Sequence, residues 1–193
     1  MFDPFNDFES EGYLRNYLKE KDLDIVKRLE HLSFVTNQHD AREYLSSKKL
    51  LDYSDFLHVH KILFLELYPW AGEDRTITSP TTRVSKGSVD FADSDDVVAA
   101  INEGLRLGQI KERMALLPGS IMGLFAYGHP FLDGNGRVMQ LVHSELCRRA
   151  GFSIHWKEVN KVNYLKLLTQ EINDPRNKAL DGYLLEFKVN DNG

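Results

Sequence analysis

His129-Pro-Phe-Leu-Asp133-Gly-Asn-Gly-Arg137 stands between an apolar run at residues 121–127 and a segment with Val138, Val142 and Leu146 at four-residue spacing. That spacing puts the three on one face of a helix, and Gly151 is placed to end it. Two glycines with one residue between them let the backbone reach positive φ and approach a ligand closely. Successive N–H groups ahead of a helix start form a concave donor site, reinforced by the helix dipole. Arg137 adds a planar, permanently charged fork that suits phosphate oxygens. Taken alone, such a loop is either an anion nest or a tight turn that opens a helix.

Its neighbours favour the nest. Phe131 is apolar within a polar loop and is expected to plug into the core and pin the loop. Asp133 is a hard oxygen ligand beside the nest, the way Mg²⁺ is commonly held, by one or two carboxylates and the phosphates themselves. A histidine is the side chain whose ordinary pKa lies near neutral pH, so His129 can take a proton from an attacking hydroxyl. A base, a metal ligand, the amide of Asn135, the nest and Arg137 together suit phosphate transfer. The competing reading makes His129 the cap of the preceding helix and Asp133 the cap of the next.

Working outward, the chain of 193 residues is 42% hydrophobic and 27% charged, an ordinary balance for a folded globular chain. Apolar residues recur at helical spacing over residues 13–31 and 56–67, the second opened by Asp52 or Ser54 and stopped by Pro69. Residues 76–92 read differently. Thr76, Ile77, Thr78, Thr81, Thr82, Val84 and Val89 favour extended backbone, with Pro80 and Gly87 as breaks, so a hairpin is expected there and nowhere else. Asp93-Ser94-Asp95-Asp96 suits a helix start, Pro118-Gly119-Ser120 marks another boundary, and helices are expected over residues 159–172 and 180–187. No linker or repeat divides the chain. The fold class expected is all-α, one domain over residues 1–193 with a small inserted hairpin.

A net charge of −5 argues against a general nucleic-acid binder, while leaving room for a local cluster that holds one nucleotide. Cys147 is the only cysteine, so no internal disulfide forms and a reducing compartment is expected. The start, Met1-Phe-Asp-Pro-Phe, lacks the basic and apolar regions of a signal peptide. No apolar run approaches the ~20 residues needed to span a bilayer. A cytoplasmic location without membrane contact is expected, delivery into another cell being invisible to this reasoning. His58 and His60, two apart, would point about 200° apart on a helix and cannot share one ion there. Trp70 and Trp156 are expected to pack, and Arg148-Arg149 to serve as the basic end of a helix.

The nine-residue loop resembles the Fic signature, His-x-Phe-x-(Asp/Glu)-Gly-Asn-Gly-Arg-x-x-Arg, at every position through the first arginine. Tyr68-Pro-Trp-Ala-Gly-Glu-Asp-Arg75 is similar to the segment entering that family's flap. Val84-Ser-Lys-Gly87 with Phe91-Ala92 is similar to the flap itself, and Asp3-Pro4 with Gly12-Tyr-Leu-Arg-Asn16 to the start of many members. The resemblance implies transfer of the AMP part of ATP onto a Ser, Thr or Tyr hydroxyl of a target protein. His129 would be the catalytic base and Asp133 the Mg²⁺ ligand. Phe131, Gly134, Asn135, Gly136, Arg137 and position 140 would serve the nucleotide phosphates. Val84, Ser85, Lys86, Gly87 and Phe91 would meet the target, added as an extended strand. Phe91 is as well placed to be core.

One position departs from the family. Where the second arginine is expected, the chain has Gln140, which can hydrogen-bond a phosphate but brings no charge. Either the grip on ATP is altered, with Arg75, Arg83 or Lys86 as substitutes, or another group is moved, such as UMP, phosphocholine or phosphate. A nucleotide-binding member without turnover is the remaining alternative. The family's inhibitory (Ser/Thr)-x-x-x-Glu-(Gly/Asn) motif has no full match. Glu11-Gly12 and Glu103-Gly104 have its ending, but Asp7 and Ala99 stand where Ser or Thr belongs. Restraint by a separate small antitoxin-like protein is the expectation in its place.

Overall fold

The computed structural model describes residues 2–81 and 83–190, with Lys86 described through its backbone alone. The readings placed on Met1, Thr82 and the Lys86 side chain lie outside the described residues. Helix α1 is a single turn, Phe8–Glu11, followed by Gly12 at φ 72° and a 3-10 turn, Tyr13–Arg15. The helix expected over residues 13–31 therefore starts late. Leu14 and Arg15 take left-handed φ values of 54° and 55°. Asn16 then closes a loop: its amide donates to the carbonyls of Tyr13 and Glu20 and accepts the N–H of Glu20. Such side-chain bonds give the backbone an alternative to the helix. Asp22 caps α2, accepting the N–H groups of Asp24 and Ile25, and the helix then runs unbroken over Leu23–Ser47.

A capping box opens α3, Tyr53–Phe64, with Asp52 and Asp55 each accepting the other's region of backbone N–H. The segment expected to be extended begins instead with one helical turn, α4, Arg75–Thr78, because the Asp74 carboxylate accepts the N–H of Thr76. Only β1, Ser85–Lys86, and β2, Val89–Asp90, form the hairpin, joined by a two-residue turn with Gly87 at φ 63°. Then follow α5, Ser94–Gly108, and α6, Lys111–Leu116. Helix α7, Pro118–Gly128, starts on a proline that needs no N–H at that position. Helix α8, Asn135–Ala150, ends at Gly151 with φ 89°.

A second strand pair corrects the expectation of a lone hairpin. β3, Phe152–Ile154, pairs antiparallel with β4, Lys188–Asn190, around α9, Lys161–Asn173, and α10, Ala179–Leu185. β3 buries Phe152 and Ile154 and exposes Ser153, a period-two pattern too short to stand out in the sequence.

Helix α7 is the hub, packed on α5, α8, α9 and α10, while α2 covers α3 and α8. Val26, Leu45, Phe56, Leu63, Phe125, Val138 and Leu146 share one continuous core. Glycines let the neighbours close on α7. A Cβ at Gly119 would lie 2.3 Å from backbone atoms of Leu180 and Asp181. That closeness lets Asp181 accept the N–H of Ser120 at 2.8 Å and complete the start of α7. Among the described residues, no helix is long and apolar enough to cross a membrane. Replacing Gly119 by Ala should lower stability by about 1–3 kcal/mol, the usual cost of forcing atoms into a filled contact. An unchanged midpoint in urea would show that the α7–α10 contact is looser than described.

Candidate active site

The loop between α7 and α8 is built on Phe131. Its ring is fully buried, stacked 3.9 Å from His60 and 6.2 Å from Phe56. Its peptide is gripped from both sides by Asn135, whose Oδ1 accepts the Phe131 N–H at 2.9 Å and whose Nδ2 donates to the Phe131 carbonyl at 2.7 Å. Asn135 thus shapes the loop through its side-chain amide, and Phe131 anchors the loop in the core.

His60 completes the support. It is wholly buried, and its Nδ1 accepts the N–H of Gly72 at 2.9 Å, so Nε2 carries the proton and donates to the Asp133 carbonyl at 3.2 Å. Burial drives its pKa down to about 3, which keeps it neutral. His58, two residues earlier, is exposed. Gly134 sits at φ 80°, and a Cβ there would lie 2.5 Å from the Phe64 ring and 3.2 Å from His60. Both the conformation and the space demand glycine.

Asp133 is half-buried; Oδ1 accepts the N–H of Gly134 at 2.6 Å, and its other oxygen has no protein hydrogen bond among the described residues. The N-cap of α8 is Gly134, so Asp133 does not take the capping role. The first N–H groups of α8, at Asn135 and Gly136, have no intrahelical acceptor by position, and the space around Gly136 is open. No group of three or more His, Cys, Asp or Glu residues arranged for a metal occurs among the described residues. One hard carboxylate beside open helix-start amides fits a cation that brings phosphates as its remaining ligands, and fits a metal caged by protein alone poorly.

His129 is the C-cap of α7 and lies in the left-handed region, φ 42° and ψ 57°, a conformation that costs a non-glycine residue about 1–2 kcal/mol. The capping role read as an alternative is thus real, and it leaves the ring directed to the hairpin, where it stacks on Phe91 at 3.8 Å and 17°. Val84 is half-buried, while Ser85 and the turn residue Gly87 are exposed. Behind the stack lies a mainly apolar cavity of about 290 Å³. It is lined by Phe91 and His129, by Gly136 and Met139 of α8, and by Leu168 and Ile172 of α9. A wider groove of about 480 Å³ between α2 and α8 touches none of the loop residues.

Arg137 is not free. Its guanidinium lies 3.3 and 3.4 Å from Glu30 Oε2 and 5.6 Å from the Phe64 ring. Glu30 is buried on α2 and accepts the Tyr68 hydroxyl at 2.8 Å. Burial and the Asp133 charge raise its pKa to about 7, against the opposing pull of Arg137 and Tyr68. Glu11 and Glu103, the two glutamates followed by glycine, pair with Lys19 and Arg106 instead. Gln140, one turn beyond Arg137, is half-buried. Arg75 is fully buried under the loop and bonded to backbone carbonyls, so it does not substitute for the missing arginine. Arg83 is highly exposed beside Asp93 at 3.5 Å. Sequence reasoning missed Glu30 and His60, although both fall on the apolar face of their helices, with Val26 and with Phe56 and Leu63.

With this geometry in view, the match to known proteins is informative. The Fic/DOC family matches residues 50–147. The chain belongs to that family. It is 26% identical to protein adenylyltransferase VbhT of Bartonella schoenbuchensis over 97% of its own length, and it spans only 40% of that protein. It is also 26% identical to the probable protein adenylyltransferase y4lH of Sinorhizobium fredii, covering 79% of each chain. In fold it is similar to the Bartonella tribocorum effector BepC solved with AMPPNP, with a TM-score of 0.76, 16% identity, and coverage of 94% of this chain and 95% of that one. This Fic chain thus carries the family's loop on the family's fold.

The buried titrating groups fix how stability should change with pH. His60, and His143 with its pKa lowered by burial to about 4, bind protons in the unfolded chain from about pH 6.5 downward but not in the folded one. Their contribution is present above pH 6.5 and lost as pH falls. Glu30 acts oppositely: the folded chain takes up its proton near pH 7 and the unfolded chain nearer 4.5. Between those values it offsets one histidine; below about 4.5 it no longer does. The fall in stability should therefore steepen below about pH 4.5, by roughly 1 kcal/mol per pH unit for the second histidine. Urea midpoints measured from pH 7 to 4 check this, and His143→Gln should soften the steep part.

Proposed function

We propose that this chain is a Mg²⁺-dependent protein adenylyltransferase, working as one Fic domain over residues 1–193. The observation that carries the reading is that His129 and the open start of α8 line one apolar cavity, while the same loop carries Asp133 with one oxygen that has no protein hydrogen bond among the described residues. Such a cavity suits a flat nucleobase and the α8 amides suit its phosphates. The names of the relatives, two of them adenylyltransferases and one an effector solved with AMPPNP, support ATP as the donor.

In the step proposed, a target hydroxyl passes its proton to the His129 ring. Its oxygen attacks the α-phosphorus in line, the new phosphorus–oxygen bond forms, the bond to the bridging oxygen breaks, and pyrophosphate leaves. Mg²⁺ held by Asp133 and the phosphate oxygens would neutralise the charge that gathers on the leaving group. The amides of Asn135 and Gly136 hold phosphate oxygens, with Arg137 and Gln140 further along the same helix face. The target lies along the hairpin, past Val84, Ser85 and Gly87. We place the reaction in a cytoplasm, of the producing cell or another, where ATP and Mg²⁺ are plentiful, under restraint by a separate small protein.

Incubation with Mg²⁺, cell lysate and ATP labelled at either the α- or the γ-phosphate tests this. Label should reach protein from the α-phosphate alone, and His129→Ala should reduce it by about 10²–10⁴-fold. Label from the γ-phosphate would make the chain a kinase and overturn the reading. Label only from UTP or a phosphocholine donor would keep the site and change the group moved.

Gln140 gives a second measurement. Gln140→Arg adds a charged contact, worth about 1.5 kcal/mol or more, so KM for ATP should fall roughly tenfold. No change in KM would mean that the terminal phosphate does not reach this position.

A further inference from the structure

Arg75 is a cation with no exposed surface and no carboxylate hydrogen-bonded to it. Its side chain gathers backbone instead. Nε donates to the His129 carbonyl at 2.7 Å, and Nη2 donates to the Ala92 carbonyl at 2.8 Å and to the Gly128 carbonyl at 3.3 Å. Its own N–H donates to the Pro130 carbonyl at 2.7 Å. Arg75 therefore touches three successive peptide units of the loop and the exit of the hairpin. The carbonyls it holds flank the one residue of the loop, His129, that takes a left-handed backbone without being glycine.

Two features show that this arrangement is more than packing. Burying a guanidinium is costly unless its donors are matched, and Nη1 has no hydrogen-bond partner among the described residues. A side chain that only filled space would serve the fold better as an apolar residue. In addition, the hairpin exit held by Arg75 carries Phe91, whose ring lies flat on His129, and Ala92, whose N–H donates to the Tyr127 carbonyl at 2.9 Å. The hairpin and the loop are thus joined twice at His129, by the stack on its ring and by the guanidinium on its carbonyl.

We propose that Arg75 is a positioning residue for His129, holding its backbone left-handed and tying it to the hairpin exit, so that the ring meets a hydroxyl presented along the hairpin. The proposal rests on His129 being the base of the transfer described above. A fork of fixed shape is needed, because one planar group reaches Ala92 on one side and Gly128 and His129 on the other. A lysine could reach one of these carbonyls at a time.

The test uses the full chain with Arg75→Gln and Arg75→Lys, each checked for folding by its urea midpoint. Expected for folded Arg75→Gln is a drop in kcat of about 10²-fold, the scale of a misplacement near 1 Å, with KM for ATP changed less than about twofold. Arg75→Lys should recover part of the rate. The backbone carbon chemical shifts of His129 should leave the left-handed range in Arg75→Gln while the shifts of the α5 core stay in place. A folded variant with native kcat, or with His129 shifts unmoved, overturns the proposal, as does a loss confined to KM. If Arg75→Gln does not fold, Arg75→Lys is read by the same criteria. Should the native chain transfer nothing from any donor, the functional reading fails separately, and the His129 shifts still decide the link to Arg75.

Discussion

The two-way clamp between the Asn135 amide and the Phe131 peptide is the contact on which the rest of the site depends. A loop that exposes helix-start N–H groups to a ligand cannot satisfy itself through regular secondary structure, because the ligand needs the donors that a ladder would consume. The chain solves this by anchoring one apolar ring in the core and fixing that residue's peptide with the side chain that begins α8. Once Phe131 is held, Asp133 and Gly134 have little freedom. His60 supports the Asp133 carbonyl from below, and the Phe64 ring leaves no room for a side chain at Gly134. The amides of α8 are then aimed before any ligand arrives, which is the condition for electrostatic catalysis without reorganisation.

Under the loop lies a layer of polar groups that a hydrophobic core would not need. His60, Arg75, Glu30 and Asp74 are all buried. Each is bonded to backbone or to a hydroxyl, with only Nη1 of Arg75 left without a hydrogen bond among these four residues' described contacts: His60 to Gly72 and Asp133, Arg75 to four carbonyls through its side chain and its own N–H, Glu30 to Tyr68, Asp74 to Tyr53. Apolar residues of similar volume would give as much stability or more. What such residues cannot do is hold carbonyls at chosen positions. Beneath the loop, these buried polar groups serve a defined backbone path.

Much of this was legible in the sequence because it rests on local rules. The loop's glycines, Phe131 as an anchor, Asp52 as a cap, Gly151 as a stop and the inward face of α8 all follow from spacing and residue type. What was not legible depended on distant partners. The clamp of Asn135 on the Phe131 peptide is one such feature, because that partner can only be identified once the loop's turn is known. Residues 13–31 looked like one helix because the apolar pattern continues through Leu14 and Tyr17, while the bonds of Asn16 that end it are polar and silent in periodicity. β3 and β4 are three residues each, with residues 155–187 between them, so neither strand carries enough pattern to be seen. Glu30 is a different matter: a charge on the buried face with Val26 signals a partner, but not which one.

That partner changes the electrostatics of the site. On sequence alone the loop has one cation, Arg137, and one anion, Asp133, with Gln140 neutral. In the fold Glu30 adds a second anion 3.3 Å from Arg137, so the arginine's charge is already balanced before a phosphate arrives. An incoming phosphate must share the guanidinium with a buried carboxylate, and the nearby Asp133 opposes it further. Burial first, and the Asp133 charge second, raise the Glu30 pKa, and a proton on Glu30 would release the arginine's charge to the ligand. Under the proposed reading, the attraction for a nucleotide therefore comes chiefly from the neutral amides at the start of α8 and from a cation at Asp133. On that reading, with Gln140 in the second arginine's place and Glu30 on Arg137, phosphate is gripped more by backbone dipoles than by side-chain charge.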